Sequence, residues 1–131
     1  MNRLTKHLHV ICMAIGVVTV ISGLSIVVLP GLALDILDAE STASTRMLFQ
    51  ITGMFTALFG GLQWHATSNR DPGVALRWCT VQKIGATVAM AVATARDVFN
   101  PLALLVSAFD GLSSWLIWTY HRSLTEKEGP R

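Results

Sequence analysis

The sequence predicts an all-α integral membrane protein, a four-helix transmembrane bundle in which residues 1–131 form one domain. Three observations predict it. Four stretches, 8–30, 47–66, 74–95 and 101–120, are each long and apolar enough to cross a hydrocarbon core about 30 Å thick, which takes about 20 mostly apolar helical residues. Charged residues make up 14% of the chain and hydrophobic residues 52%, whereas a typical soluble domain carries about 25% charged residues. The four stretches also fill about two thirds of the chain, so little is left for a soluble domain.

The first span follows Arg3 and Lys6, an arrangement shared with signal peptides. Its apolar run outlasts the usual h-region of about 7–15 residues, and no small-x-small site ends it. It therefore reads as an anchor that stays, with Asn2 or Thr5 as its cap and Pro30-Gly31 as its break. Residues 31–45 carry Asp35, Asp38 and Glu40 among Leu32, Leu34, Ile36 and Leu37, which fits a short amphipathic helix on the surface or a loop. Ser44 or Thr45 can cap the second span. Asp71-Pro72 and Asn100-Pro101 mark the starts of the third and fourth, because proline's missing N–H costs nothing at the first helical position.

Orientation follows from the basic residues of the short loops. Seven (Arg3, Lys6, Arg70, Arg77, Arg122, Lys127 and Arg131) fall on one side, and only Arg46 and Arg96 on the other. Both termini are thus expected in the cytoplasm of a bacterium, with the protein in its inner membrane. Trp64, Trp78 and Trp118 then lie at the cytoplasmic boundary, where an amphipathic ring prefers to sit. Arg46 and the Arg96-Asp97 pair are expected as an anchor and a local ion pair on the far side.

Lipid supplies no hydrophobic drive between helices, so ridges of small residues carry their packing. Gly53, Ala57 and Gly61 form such a ridge on the second span. Gly85, Ala89 and Ala93 form one on the third, and Ala103, Ser107 and Gly111 one on the fourth.

Two charges lie inside spans. Taking Trp78 as the boundary, Lys83 sits about 7–8 Å deep, and Asp110 about 12–13 Å from either boundary, at 1.5 Å per residue. A carboxylate near the midplane must be paired, protonated or wet, since an unpaired charge there costs at least about 2.5–3.5 kcal/mol. The two differ in depth by about 4–5 Å, which a lysine stem can cover. They form either an interhelical tie that fixes register, or a proton relay, an ion site or the polar end of a ligand pocket, with Ser107, Ser114 and Gln82 as further polar lining. Asp110 shares an inward-looking stripe with Ala103, Ser107, Ser114 and His121.

Other chemistry is not indicated. His7, His9, His65 and His121 are scattered, whereas a metal site needs three or four converging ligands, so no metal is expected. Cys12 and Cys79 form no Cys-x-x-Cys pair and read as small packing residues. P-loops, dinucleotide glycine patterns and nucleophile elbows are absent. A net charge of +2 without basic runs excludes a nucleic-acid surface.

From residue 27 onward the layout resembles the small bacterial four-helix membrane proteins called DoxX-like. The elements are Pro30 ending the first span, Arg46 and Gly53 in the second, Arg70-Asp71-Pro72 before Trp78 and Lys83 in the third, and Asp110 in the fourth. The resemblance implies a four-span bundle, and in some relatives a quinone-linked subunit of a sulfur-oxidising enzyme. This chain lacks a thiol pair for such chemistry. The expected role is a non-enzymatic accessory or interaction subunit of a membrane complex, in contact with lipid and other subunits, holding a lipid, quinone or pigment between its helices. A quinone-linked oxidoreductase subunit and a proton-coupled carrier using Asp110 and Lys83 are the alternatives.

Overall fold

The computed structural model describes residues 3–70 and 73–128, and these are all-α, with five helices and no strand. The helices are α1 (Arg3–Val28), α2 (Pro30–Ile36), α3 (Ala43–Ser68), α4 (Val74–Ala95) and α5 (Ala103–Glu128). Among the described residues one segment, Thr5–Val28 in α1, is long and apolar enough to cross a membrane by length and composition.

Each boundary has a local cause. Proline opens α2 at its first position, directly after Leu29 leaves helical geometry at φ −127°. The helix lasts 7 residues, the short helix that is one of the two readings of residues 31–45. At its end Asp38 takes φ 55°, while Ala39 N–H bonds to Leu34 O (3.0 Å) and Asp38 N–H to Asp35 O (3.1 Å). That is a Schellman motif, which satisfies carbonyls the helix leaves orphaned. The same closure recurs after α4, with Asp97 at φ 55° and Val98 N–H on Ala93 O at 2.9 Å.

The cap of α3 is Thr42, not Ser44 or Thr45, which lie inside the helix. Thr42 Oγ1 accepts from Thr45 N–H at 3.1 Å, and Thr45 Oγ1 accepts from Thr42 N–H at 2.8 Å. Sequence reasoning stopped two residues too far in because any of these hydroxyls can cap. Thr42→Ala is expected to cost about 0.5–2 kcal/mol, read as a lowered unfolding midpoint. Thr5 likewise lies within α1, and Asn2 lies outside the described residues. The Asp71-Pro72 start also lies outside them; α4 opens after Gly73 with no side-chain cap bond. Asn100 Oδ1 accepts from Leu102 N–H at 3.0 Å, but α5 begins at Ala103, two residues later than the expected start at Pro101.

The long helices pair as two hairpins, α1 with α3 and α4 with α5. The first closes through glycine. A Cβ on Gly53 would lie 2.7 Å from Gly23 O, and one on Gly60 would lie 2.7 Å from Val20 N. Gly16 and Gly23 of α1 thus meet Gly53, Ala57 and Gly60 of α3, backbone against backbone. Gly61, expected in this contact, has open space around it; Gly60, one residue earlier, faces α1 instead. Two glutamines of α3 add hydrogen bonds to α1 carbonyls, Gln63 Nε2 to Cys12 O (2.9 Å) and Gln50 Nε2 to Val27 O (3.0 Å).

The second hairpin closes through side chains. Ser107 Oγ donates to Thr87 O at 2.9 Å, and a Cβ on Gly111 would sit 3.5 Å from Thr87 Cγ2. Gly85 and Ala89, expected to pack, are exposed, and nothing lies within 4 Å of a Cβ on Gly85. The ridge has the right spacing, but Lys83 and Thr87 set the phase of α4 against α5, which turns the small residues outward.

The hairpins join at both ends. Leu8, Cys12, Ala66, Leu76, Ile117 and Tyr120 form one buried cluster where α1 and α4 begin and α3 and α5 near their ends. At the opposite end Asn100 holds α2, its N–H on Leu37 O and its Nδ2 on Ile36 O, both at 2.9 Å. Phe49 meets Phe99 edge-on there at 6.2 Å.

Candidate functional site

Between these two joints the hairpins stand apart and leave a cavity of about 320 Å³. All five helices or their ends reach it. Thr19, Ser22 and Ile26 come from α1, Ala33 and Ile36 from α2, Phe49, Thr52 and Thr56 from α3. Gln82, Lys83, Ala86 and Met90 of α4 face Val106, Phe109 and Asp110 of α5. Most of the lining is apolar, with a few polar groups converging, the usual character of a small-molecule site.

Lys83 and Asp110 are its charged part. Lys83 Nζ lies 2.6 Å from Asp110 Oδ1, with the lysine side chain 2% exposed and the aspartate 14%. The stem spans the depth difference inferred from the sequence and brings the ammonium to the carboxylate. Phe109 covers it from the side, its ring centroid 5.2 Å from Nζ, close enough for a cation–π attraction. The pair is net neutral, so each charge makes the other's burial tolerable.

The remaining hydroxyls are partly occupied. Thr19 donates to Ile15 O at 2.8 Å, Thr52 to Leu48 O at 3.0 Å and Thr56 to Thr52 O at 2.9 Å. Their oxygens keep accepting capacity. Gln82 is half-buried in the cavity wall, as expected of a polar lining residue. Ser107 and Ser114 are buried but do not line the cavity, because their hydroxyls turn to Thr87 O and to Gly111 O (2.7 Å). Serine in a helix returns its proton to a nearby carbonyl whenever no better acceptor faces it.

The other singled-out residues lie away from the cavity. Trp64, Trp78 and Trp118 are exposed, all near the end where the apolar cluster sits. Arg46 is exposed, its Nε donating to Ser41 Oγ at 2.8 Å. Arg96 and Asp97 make no ion pair with each other; among the described residues the pairs are Lys83–Asp110 and Arg122–Glu126. Asp97 is committed instead to the left-handed position that ends α4. Ala57 and Ala93 are half-buried. Cys12 and Cys79 are buried and free, their thiols on Leu116 O (3.9 Å) and Phe59 O (3.7 Å).

A polar cluster near the tryptophan end was not foreseen. His9 Nδ1 meets Tyr120 Oη at 2.9 Å, and Arg77 Nε donates to His121 Nε2 at 3.2 Å. His121 also stacks on Trp118 with ring centroids 5.6 Å apart. These contacts tie α1 to α5 and α4 to α5. Among the described residues no group of three His, Cys, Asp or Glu stands together to hold a metal ion.

Comparison with protein-family models, with curated proteins and with solved structures finds no match for this chain.

Proposed function

We propose that the protein is a small accessory subunit of a bacterial cytoplasmic membrane complex, holding a lipophilic ligand between its two hairpins. In this reading α1, α3, α4 and α5 all cross the bilayer and both termini are cytoplasmic. The cavity of about 320 Å³, with one neutralised ion pair in an otherwise largely apolar wall, carries the ligand half of the proposal.

The distribution of polarity supports the membrane half. Ile21, Leu58, Val88 and Leu112, one from each long helix, are between 50% and 60% exposed, whereas Thr19, Gln63, Thr80, Lys83 and Ser113 are buried. A water-soluble domain rarely exposes contiguous apolar surface beyond a few hundred Å², and here all four long helices carry it. Burial of polar residues inside the bundle lowers the average hydropathy of α3–α5 without wetting their outer faces. The exposed tryptophans at one end and the excess of Lys and Arg there fit the cytoplasmic boundary.

The DoxX-like resemblance supports the same bundle and favours a quinone among the ligands. A carrier that moves a proton with its cargo is the second reading, favoured by the placement of Asp110 at the cavity wall.

Extraction from the membrane in mild detergent, followed by native mass spectrometry, is expected to return the chain with partner subunits and a non-covalent lipophilic mass. Ala86→Trp, which fills the cavity, is expected to reduce that mass about tenfold, an effect of about 1.4 kcal/mol, while partners remain. A bare monomer overturns the proposal.

A further inference from the structure

We infer that the cavity selects an uncharged amphiphile whose head presents a carbonyl oxygen, received by the Lys83 ammonium; the inference rests on the ligand-holding reading above. An ammonium has three N–H donors and no acceptor. Among the described residues Lys83 uses one of them, on Asp110 Oδ1 at 2.6 Å, and is 2% exposed. Its neighbour Phe109 offers only a ring face. Buried donors left unmade are costly, so the site is completed by an acceptor from outside the chain.

Charge decides which acceptor. Asp110 already balances Lys83, so a carboxylate or phosphate head would bring an uncompensated negative charge into a wall of low dielectric. It would also face Asp110 at close range. An ammonium head meets the opposite problem at Lys83. A carbonyl takes the free N–H groups and leaves the site neutral. Gln82 and Ser22 line the same cavity, and neither side chain has a hydrogen-bond partner among the described residues. Both are uncharged and can donate to the same head. The apolar part of the lining, Ile26, Phe49 and Met90 among it, receives the tail.

The test uses the full chain in phosphatidylcholine nanodiscs and three photoreactive diazirine probes of equal chain length. They are a methyl ketone, a carboxylic acid and a primary amine, at pH 7.5. Cross-links are located by peptide mass spectrometry. The ketone is expected to label peptides carrying Phe49, Met90 or Phe109 at least about tenfold more than either charged probe. Excess unlabelled ketone should suppress that labelling. In the Lys83→Met, Asp110→Leu double variant the ketone's own cavity labelling should fall about tenfold, the ammonium that receives its oxygen being gone, while the charged probes stay excluded from the apolar wall.

Equal or stronger cavity labelling by the acid or the amine overturns the head-group inference and leaves the ligand-holding reading standing. Ketone labelling of the cavity that is undiminished in the double variant overturns the role of Lys83. Cavity labelling by none of the three probes overturns both readings.

Discussion

Lys83→Met and Asp110→Leu, made singly, are each expected to lower the stability of the bundle by about 3–5 kcal/mol, because each strands the opposite charge in a poorly hydrated wall. Together they should restore most of that loss. Two apolar side chains of similar volume bring no charge to bury, and replacing a buried pair in this way is often neutral or stabilising. Unfolding midpoints in detergent for the two singles and the double form a double-mutant cycle whose coupling term isolates the interaction. At 2.6 Å and 2% exposure of the lysine, the coupling should be of the same size as the single losses. Additive losses would mean that the charges do not interact. A stable double variant that no longer retains ligand would separate the structural service of the pair from its service to the cavity.

That pair was legible before any coordinates because depth along a helix is a one-dimensional quantity. Counting residues from Trp78 and from the turn near Asn100 put Lys83 and Asp110 within reach of each other. Helix ends were legible for a similar reason, since proline and the capping hydroxyls act within one turn. The small errors at Thr42 and Ala103 are shifts of two or three residues, within a single helical turn.

What stayed hidden depends on rotation about the helix axis and on partners far away in the chain. The sequence shows Gly53, Ala57 and Gly61 at spacing four, but α3 turns Gly53 and Gly60 to α1, seven residues apart, against Gly16 and Gly23 at the same interval. Spacing alone does not choose between Gly60 and Gly61. The glutamine bonds to Cys12 O and Val27 O, and His9 on Tyr120, join residues 23 to 111 positions apart. No local pattern announces such contacts. The cavity is hidden for the same reason, since it is the space left where two hairpins touch only near their ends.

The glycine contact gives the second large effect, with an internal control. Gly60→Ala places a methyl group 2.7 Å from Val20 N and 2.9 Å from Gly16 O, and Gly53→Ala places one 2.7 Å from Gly23 O. The obstacles are backbone atoms of a packed helix, which cannot rotate aside. α1 must therefore move away from α3, stretching the glutamine bonds at 2.9 and 3.0 Å as it goes. Forced overpacking of this kind costs about 1–3 kcal/mol per site. Gly85→Ala has the opposite sign. Nothing lies within 4 Å of its Cβ, and alanine is favoured over glycine in a helix interior by up to about 1 kcal/mol. Unfolding midpoints of the purified single chain should therefore fall for Gly53→Ala and Gly60→Ala and hold or rise for Gly85→Ala. A fall at Gly85 as large as that at Gly60 would mean that the outer face of α4 is itself a packing surface. Unchanged midpoints at Gly53 and Gly60 would mean that α1 and α3 do not approach through these glycines.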